Sequence, residues 1–407
     1  MNETGLYLKI KDIVWLTAVV LGAVYVFGDK MTTGIPQFDA TQRYIVYILV
    51  VDSIYMIMSC SGFFNRSNAL FISIFACFIA GVAYACYRNA GTVPGRNPLA
   101  FAKYDLIAFS CIFISIIYTA QNKKLEQLLK IVTCVIAAFC LINDMFMLIG
   151  YQFGATAGGV NYFVGTKFTV AYLHMSLIVA YTLISANSTS RNRRAIIAFL
   201  VVLSIAVSIR SDCNTGIIGI VLLAFMILGN EYSKGIRNLL YTRPFFVFSL
   251  FYGLIFAALV TIILANPFVQ HIIVDVLDRE LTLTGRTDIY AYLFLALANS
   301  ILFGYGYGNS YTISKNFFGY ANTQNGLAEW LLQVGIIGAI PMVLLFFYCI
   351  FSIISTDKEK EMMPVVAMLY VFNFLASVEV TISIIYFYWI FVLLAWAGEK
   401  KNEKEKI

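Results

Sequence analysis

Apolar runs of about 18–20 residues follow one another from residue 10 to residue 397, each long enough to cross a ~30 Å hydrocarbon core as a helix. They do not alternate with a period of two. Ile217–Leu228 is apolar on every face, which excludes a barrel strand and leaves a helix whose amides pair within the segment. Spanning helices are predicted near 10–28, 44–64, 69–87, 104–120, 126–150, 168–187, 195–209, 214–230, 244–266, 327–353, 363–378 and 381–397. The seventh and eighth are separated only by the polar break Arg210-Ser211-Asp212-Cys213-Asn214. The predicted fold class is all-α, a single integral membrane domain of about 12 transmembrane helices with one long outer loop between helices 9 and 10. That loop, residues 267–326, far exceeds the 12–15 residues beyond which a connection is usually functional or disordered. Its apolar stretch Ile289–Phe303 is too short to span comfortably and suits an interfacial or re-entrant helix.

Composition sharpens this picture. Hydrophobic residues make up 60% of the chain and charged residues 12%, about half the share usual in a soluble domain. The net charge of +6 is scattered over short connections and forms no patch for nucleic acid. Most of the 28 Lys and Arg residues lie on connections that share a side with the N-terminus, Arg191, Arg193 and Arg194 among them. The positive-inside rule then places both termini in the cytoplasm and residues 267–326 outside. Most of the eight cysteines sit within apolar runs, no C-x-x-C pair occurs, and His174 and His271 are the only histidines. No metal or cofactor is expected from such a set. The apolar run 13–28 lacks a small-x-small cleavage site and reads as a retained first helix. No internal repeat is visible, which counts against a transporter built from inverted halves.

The informative polar residues lie at outer helix ends. Arg88, Arg210 and Arg286 stand where the positive-inside rule disfavours them. A guanidinium fork binds phosphate oxygens bidentately and stays charged, so their convergence in a basic outer cavity would suit a lipid-linked phosphate or diphosphate. The bland alternative is snorkelling or local pairing, Arg210 with Asp212 and Arg286 with Asp288. Asp52, Asp144 and Glu379 are acids within or beside apolar segments, functional candidates because a membrane-buried carboxylate is costly. His174 reads as a packing histidine. The run Gly304-Tyr305-Gly306-Tyr307-Gly308 has no preceding strand and no Lys-Ser/Thr, so it is no nucleotide loop. It suits a tight turn with close backbone approach to a ligand, and its tyrosines fit either an interfacial belt or a sugar-stacking surface.

Four short motifs occur in order over roughly residues 200–345. They are Ser208-Ile209-Arg210-Ser211-Asp212; Thr284-Gly285-Arg286; Gly304-Tyr305-Gly306; and Gln324-Asn325 followed by a helix with Glu329 that ends at Gly335. In these the chain resembles the O-antigen ligase and Wzy-type polysaccharide polymerase superfamily. It departs at Gln324, where the family pattern has a histidine; a glutamine cannot take that proton, and this favours polymerase over ligase. The resemblance implies glycosyl transfer at the outer face of the cytoplasmic (inner) membrane from a polyprenyl-diphosphate donor, with Arg210 and Arg286 neutralising the departing diphosphate and no metal. It implies substrate binding by Arg88, Gln324, Asn325, Glu329, Tyr305 and Tyr307, although Asn325 reads equally well as a plain N-cap. A required base would be Asp288, Glu329 or Glu379, in that order. Expected partners are the polyprenyl-diphosphate-linked oligosaccharide, membrane lipid, a chain-length regulator and a flippase. The alternatives are a ligase of the same superfamily and a transporter or flippase of lipid-linked oligosaccharide. A polyprenyl-phosphate-sugar glycosyltransferase is disfavoured, because Asp29 and Asp39 in the first outer connection are not adjacent.

Overall fold

The structure, a computed structural model, describes residues 3–28, 36–60, 63–64, 66–156, 159–186, 191–271, 274–275, 285–354 and 359–404. Asp29, Thr284 and residues 272–273 and 276–284 of the long connection lie outside the described residues.

Ten helices precede that connection: α1 (Glu3–Gly28), α2 (Pro36–Ser59), α3 (Arg66–Arg88), α4 (Pro98–Gln121), α5 (Leu125–Leu148), α6 (Lys167–Ile184), α7 (Arg191–Arg210), α8 (Asn214–Tyr232), the short α9 (Lys234–Leu240) and α10 (Arg243–Leu264). The connection holds α11 (Pro267–His271), α12 (Arg286–Asn299) and α13 (Ser310–Phe318); α14 (Gly326–Ile354), α15 (Met363–Leu375) and α16 (Ile384–Lys404) follow. Among the described residues, nine helices are long and apolar enough to cross a membrane: α1, α3 to α8, α10 and α14. Two shorter apolar stretches, Met363–Leu375 and Ile384–Glu399, belong to α15 and α16. The chain is thus an α-helical, multi-pass membrane protein.

One element amends the all-α expectation. Between α5 and α6 the strands β1 (Ala155–Thr156), β2 (Gly159–Tyr162) and β3 (Gly165–Thr166) form a small antiparallel sheet in the order β1-β2-β3. Gly154 (φ 103°), just before β1, and Gly165 (φ 114°), the first residue of β3, take the left-handed backbone that glycine adopts freely.

Apolar residues on every face send a helix to the centre of a bundle, and α15 and α16 behave so. Tyr370, Phe372, Tyr386, Phe387, Trp389 and Phe391 are fully enclosed by protein. At one end of the bundle Asp12 pairs with Lys124, and Glu399 Oε1 accepts the Leu125 N–H at 3.0 Å. The opposite end carries the long connection.

There α14 is broken. Gly335 has φ 60° and ψ −167°, a conformation essentially closed to other residues. The break frees backbone groups, which must be paired within the membrane protein, and the segment after α12 supplies the partners. Tyr305 N–H donates to Leu332 O and Gly306 N–H to Gln333 O, both at 2.8 Å; Ile336 N–H donates to Ile301 O at 2.9 Å and Ile337 N–H to Leu302 O at 3.1 Å. A Cβ on Gly335 would sit 2.4 Å from the Leu302 carbonyl, and one on Gly304 2.6 Å from that of Gln333. The glycine-rich run thus allows a close backbone approach to α14. The helix α12 is 14 residues long, about 21 Å, too short to span.

Candidate functional site

Inserting residues 300–309 against α14 leaves a cavity of about 530 Å³ at this end of the bundle, within the range of small-molecule sites. Its wall is drawn from the end of α1, α4, the start of α6, the connection after α12, the first turns of α14, and the α15–α16 connection. Three carboxylates line it, Asp105, Glu329 and Glu379, with aromatic surface from Phe109, Tyr307 and Trp330.

Each carboxylate has its own donors. Tyr25 Oη donates to Asp105 Oδ1 at 2.7 Å and Tyr307 Oη to Oδ2 at 3.0 Å. Glu329, 4% exposed, accepts at Oε2 from Thr323 N–H (3.1 Å) and Thr323 Oγ1 (2.9 Å), and at Oε1 from Gln333 Nε2 (3.1 Å). It pins the turn before α14 to the helix itself. Glu379, in the connection between α15 and α16, takes Arg286 Nη2 at 3.0 Å on Oε1. Burial pushes the Glu379 carboxyl up to about 7, against the opposing pull of Arg286 and Lys167. Beside it Tyr172 also lines the cavity.

The expected basic cavity is not what forms: among its described lining residues are three acids and neither Lys nor Arg. The physical reason is that the cations are engaged elsewhere. Arg286, at the start of α12, turns to Glu379 and the Val378 carbonyl, not to Asp288. Lys167 Nζ donates to the Asp212 carbonyl at 2.8 Å. Arg210 is the exposed last residue of α7, where its charge acts on the Tyr162 hydroxyl. Arg88 ends α3, exposed and outside the lining.

Of the other residues singled out, Glu329 and Tyr307 line the cavity. Asp288 is exposed and accepts from Tyr320 Oη at 3.4 Å. Gln324 does not begin α14. It sits one residue before the cap with φ 47°, and its carbonyl accepts from Tyr290 Oη at 3.0 Å. Asn325 is the cap: Oδ1 accepts from Ala328 N–H at 3.1 Å, while Nδ2 donates to Gly253 O at 2.8 Å. Both ends of its amide are engaged by protein, and neither residue lines the cavity. Tyr305 donates to Ala296 O at 2.9 Å, again outside the lining.

Asp52 is buried in α2, away from the cavity, and its Oδ2 has no partner among the described residues. His174 is satisfied within the bundle, Nε2 lying 3.2 Å from Asp144 Oδ1 and Nδ1 3.4 Å from Ser204 Oγ. Asp105, Tyr172, Trp330 and Gln333 are not singled out by the sequence, although Asp105 and Gln333 are polar residues at or within apolar runs, the same signal that marks Asp52.

No protein-family model matches this chain, and no curated protein matches it.

Proposed function

We propose that this protein is a polymerase of surface polysaccharide, transferring a polyprenyl-diphosphate-linked glycan onto a lipid-linked repeat unit at the outer face of the cytoplasmic membrane. The observation that carries this reading is the Glu379–Arg286 pair at the cavity wall, an acceptor of protons bound at 3.0 Å to a permanent cation. An acceptor hydroxyl attacks the anomeric carbon, and Glu379 takes its proton as the new C–O bond forms. The bond from that carbon to the diphosphate oxygen breaks, and its electron pair leaves with the polyprenyl diphosphate. Arg286, with Arg210 nearer solvent, stabilises that departing charge. Among the three carboxylates named from sequence, Glu379 moves to first place. Asp288 lies outside the cavity, and both oxygens of Glu329 hold structural donors.

Twelve crossings belong to this reading, made by α1 to α8, α10, α14, α15 and α16, with both termini cytoplasmic; α15 has 13 residues and reaches a spanning length only with the 3-10 turn Glu359–Met362 before it and residues 376–378 after it. In its favour, Val26 near the end of α1 and Ile384 at the start of α16 both line the cavity, while Asp12 of α1 and Glu399 of α16 both meet the α4–α5 region at the opposite end of the bundle.

Deleting the protein from its cell tests the reading. Polymer should vanish while single lipid-linked repeat units accumulate on the outer leaflet. Polymer that persists on the polyprenyl carrier would identify a ligase, and repeat units trapped on the inner leaflet a flippase.

A further inference from the structure

Tyr290 does not line the cavity, yet its hydroxyl touches two of the connections that do. We infer that Tyr290 is a positioning residue for the proposed transfer, its hydroxyl holding the connection that carries Glu379 in register with Arg286. The inference rests on the glycosyl-transfer reading of this site.

Tyr290 follows Arg286 by four residues on α12, so the two side chains leave one face of the helix a turn apart. That face meets Ser377 and Val378, just past the end of α15, where the chain turns and its carbonyls can no longer pair along a helix. In a membrane protein such groups must find partners within the chain, and α12 supplies them. Arg286 takes the Val378 carbonyl through Nε at 3.0 Å and Nη2 at 2.8 Å, and Tyr290 Oη donates to Ser377 O at 2.5 Å. Glu379 is the next residue, so the two anchors fix the backbone immediately before the carboxylate. The same phenolic proton is shared with Gln324 O at 3.0 Å. Gln324 has φ 47°, a conformation that a residue with a side chain keeps only where its surroundings impose it. Asn322, which lines the cavity, accepts the Gln324 N–H on Oδ1 at 2.8 Å. One hydroxyl thus steadies two stretches of the wall from behind.

Packing alone does not call for this hydroxyl. Tyr290 is 3% exposed, and its ring meets Phe256 edge-on at 6.4 Å; a phenylalanine would fill the same space. What the hydroxyl adds is the bond to the two carbonyls. Without it the connection loosens and the guanidinium draws away from the carboxylate. Their attraction weakens with distance, and burial then favours the protonated form of Glu379 further. The other groups that face Glu379 do not replace Arg286. Lys167, at the start of α6, donates to the Asp212 carbonyl, while Tyr172 on α6 and Cys213 before α8 are ordinarily uncharged.

The test uses the full-length protein in nanodiscs. Infrared difference spectra across a pH series follow the C=O stretch of the protonated Glu379 carboxyl, assigned by its loss in Glu379→Gln. In the unaltered protein this band should titrate near 7. Tyr290→Phe keeps the ring and its contact with Phe256, so it should fold, and its midpoint should rise to about 8. Transfer in membranes supplied with extracted lipid-linked repeat units should fall about fivefold at about pH 7 and recover by about pH 9. Tyr290→p-aminophenylalanine puts two N–H donors where one O–H stood and should return the midpoint to about 7. A merely structural role would lower the melting temperature and leave the midpoint in place. An unmoved midpoint in Tyr290→Phe would overturn the inference, and so would a p-aminophenylalanine variant that titrates like the phenylalanine one. The two readings fail separately. A deletion without a polymer phenotype would leave the infrared shift standing, and an unmoved midpoint would leave the phenotype standing.

Discussion

Arg286 Nη2 lies 3.0 Å from Glu379 Oε1, and the same guanidinium holds the Val378 carbonyl through Nε at 3.0 Å and Nη2 at 2.8 Å. The contact ties the first residue of α12 to the α15–α16 connection. Side-chain exposures of 14% and 13% make it a mostly desolvated pair. Removing one partner of such a pair leaves the other charge uncompensated, and the planar guanidinium fork is matched by no other side chain.

Arg286→Ala should therefore cost about 3 kcal/mol of stability and abolish polymer. Arg286→Lys keeps the charge but cannot span Glu379 and the Val378 carbonyl together. It should recover most of the thermal stability and less than about a tenth of the polymer. Melting curves in detergent and polymer gels read the two effects independently. Lysine restoring full-length polymer would show that charge alone suffices.

Glu379 sets the expected pH dependence. Burial disfavours its charged form, and its carboxyl ionises near 7 instead of the ordinary 4.5. A protonated carboxyl cannot accept a proton, so the transfer rate should climb as pH rises through about 7 and level off above it. Glu379→Gln should lower the rate by about 10²–10⁴-fold above pH 7, with the gap closing as pH falls and the unaltered carboxyl protonates. Stability runs the other way. The contribution of this group is fully present below 4.5 and is lost as pH rises through about 7. A rate that is flat between about pH 5.5 and about pH 8.5 in membranes supplied with extracted lipid-linked repeat units would remove Glu379 from the reaction.

The helices are legible because membrane burial writes itself into composition. Ile217–Leu228 is apolar on every face and lies within α8, and the α7–α8 hairpin follows from the polar break at Arg210–Asn214. The site is less legible, because its charge balance depends on which neighbour each cation meets. Arg286 has Asp288 two residues away, yet it finds Glu379 across the fold, a pairing that no local spacing encodes. Asp105 escapes a sequence reading because it stands at the edge of an apolar run, where an acid is cheap. Only the fold closes Tyr25 and Tyr307 over it. Tyr307 and Glu329 are reached through their motifs, although Glu329 serves the turn before α14 as much as the cavity.

The break in α14 offers a purely structural prediction. Gly335→Ala would force φ 60° and ψ −167° on a residue with a side chain, and place its Cβ 2.4 Å from the Leu302 carbonyl. Both the strain and the clash act against backbone, which has little room to give. Gly91→Ala is the control. Its φ of 85° is also left-handed, but open space surrounds it, so it should cost only about 1 kcal/mol. Protein yield and resistance to protease in membranes should collapse for Gly335→Ala and stay near normal for Gly91→Ala. Equal yields would mean that the re-entrant segment does not hold α14 open.

Asn325, the cap of α14, and Asp288, in the first turn of α12, separate structural from chemical roles. Asn325 is fully buried. It caps the helix through Ala328 N–H and satisfies the Gly253 carbonyl on α10. Asn325→Ala loses the cap, worth about 1 kcal/mol, and strands a buried carbonyl at a further ~1–3 kcal/mol. Asn325→Asp keeps the cap acceptor but cannot donate to Gly253, so it should recover only the first part. Asp288 is exposed, with a single long bond from Tyr320. Asp288→Asn preserves that acceptor and should leave both melting temperature and polymer length within the scatter of the unaltered protein. The decisive comparison is polymer length at matched protein level. Shortened polymer in Asp288→Asn, with stability intact, would return the proton acceptor to the outer loop and take it away from Glu379.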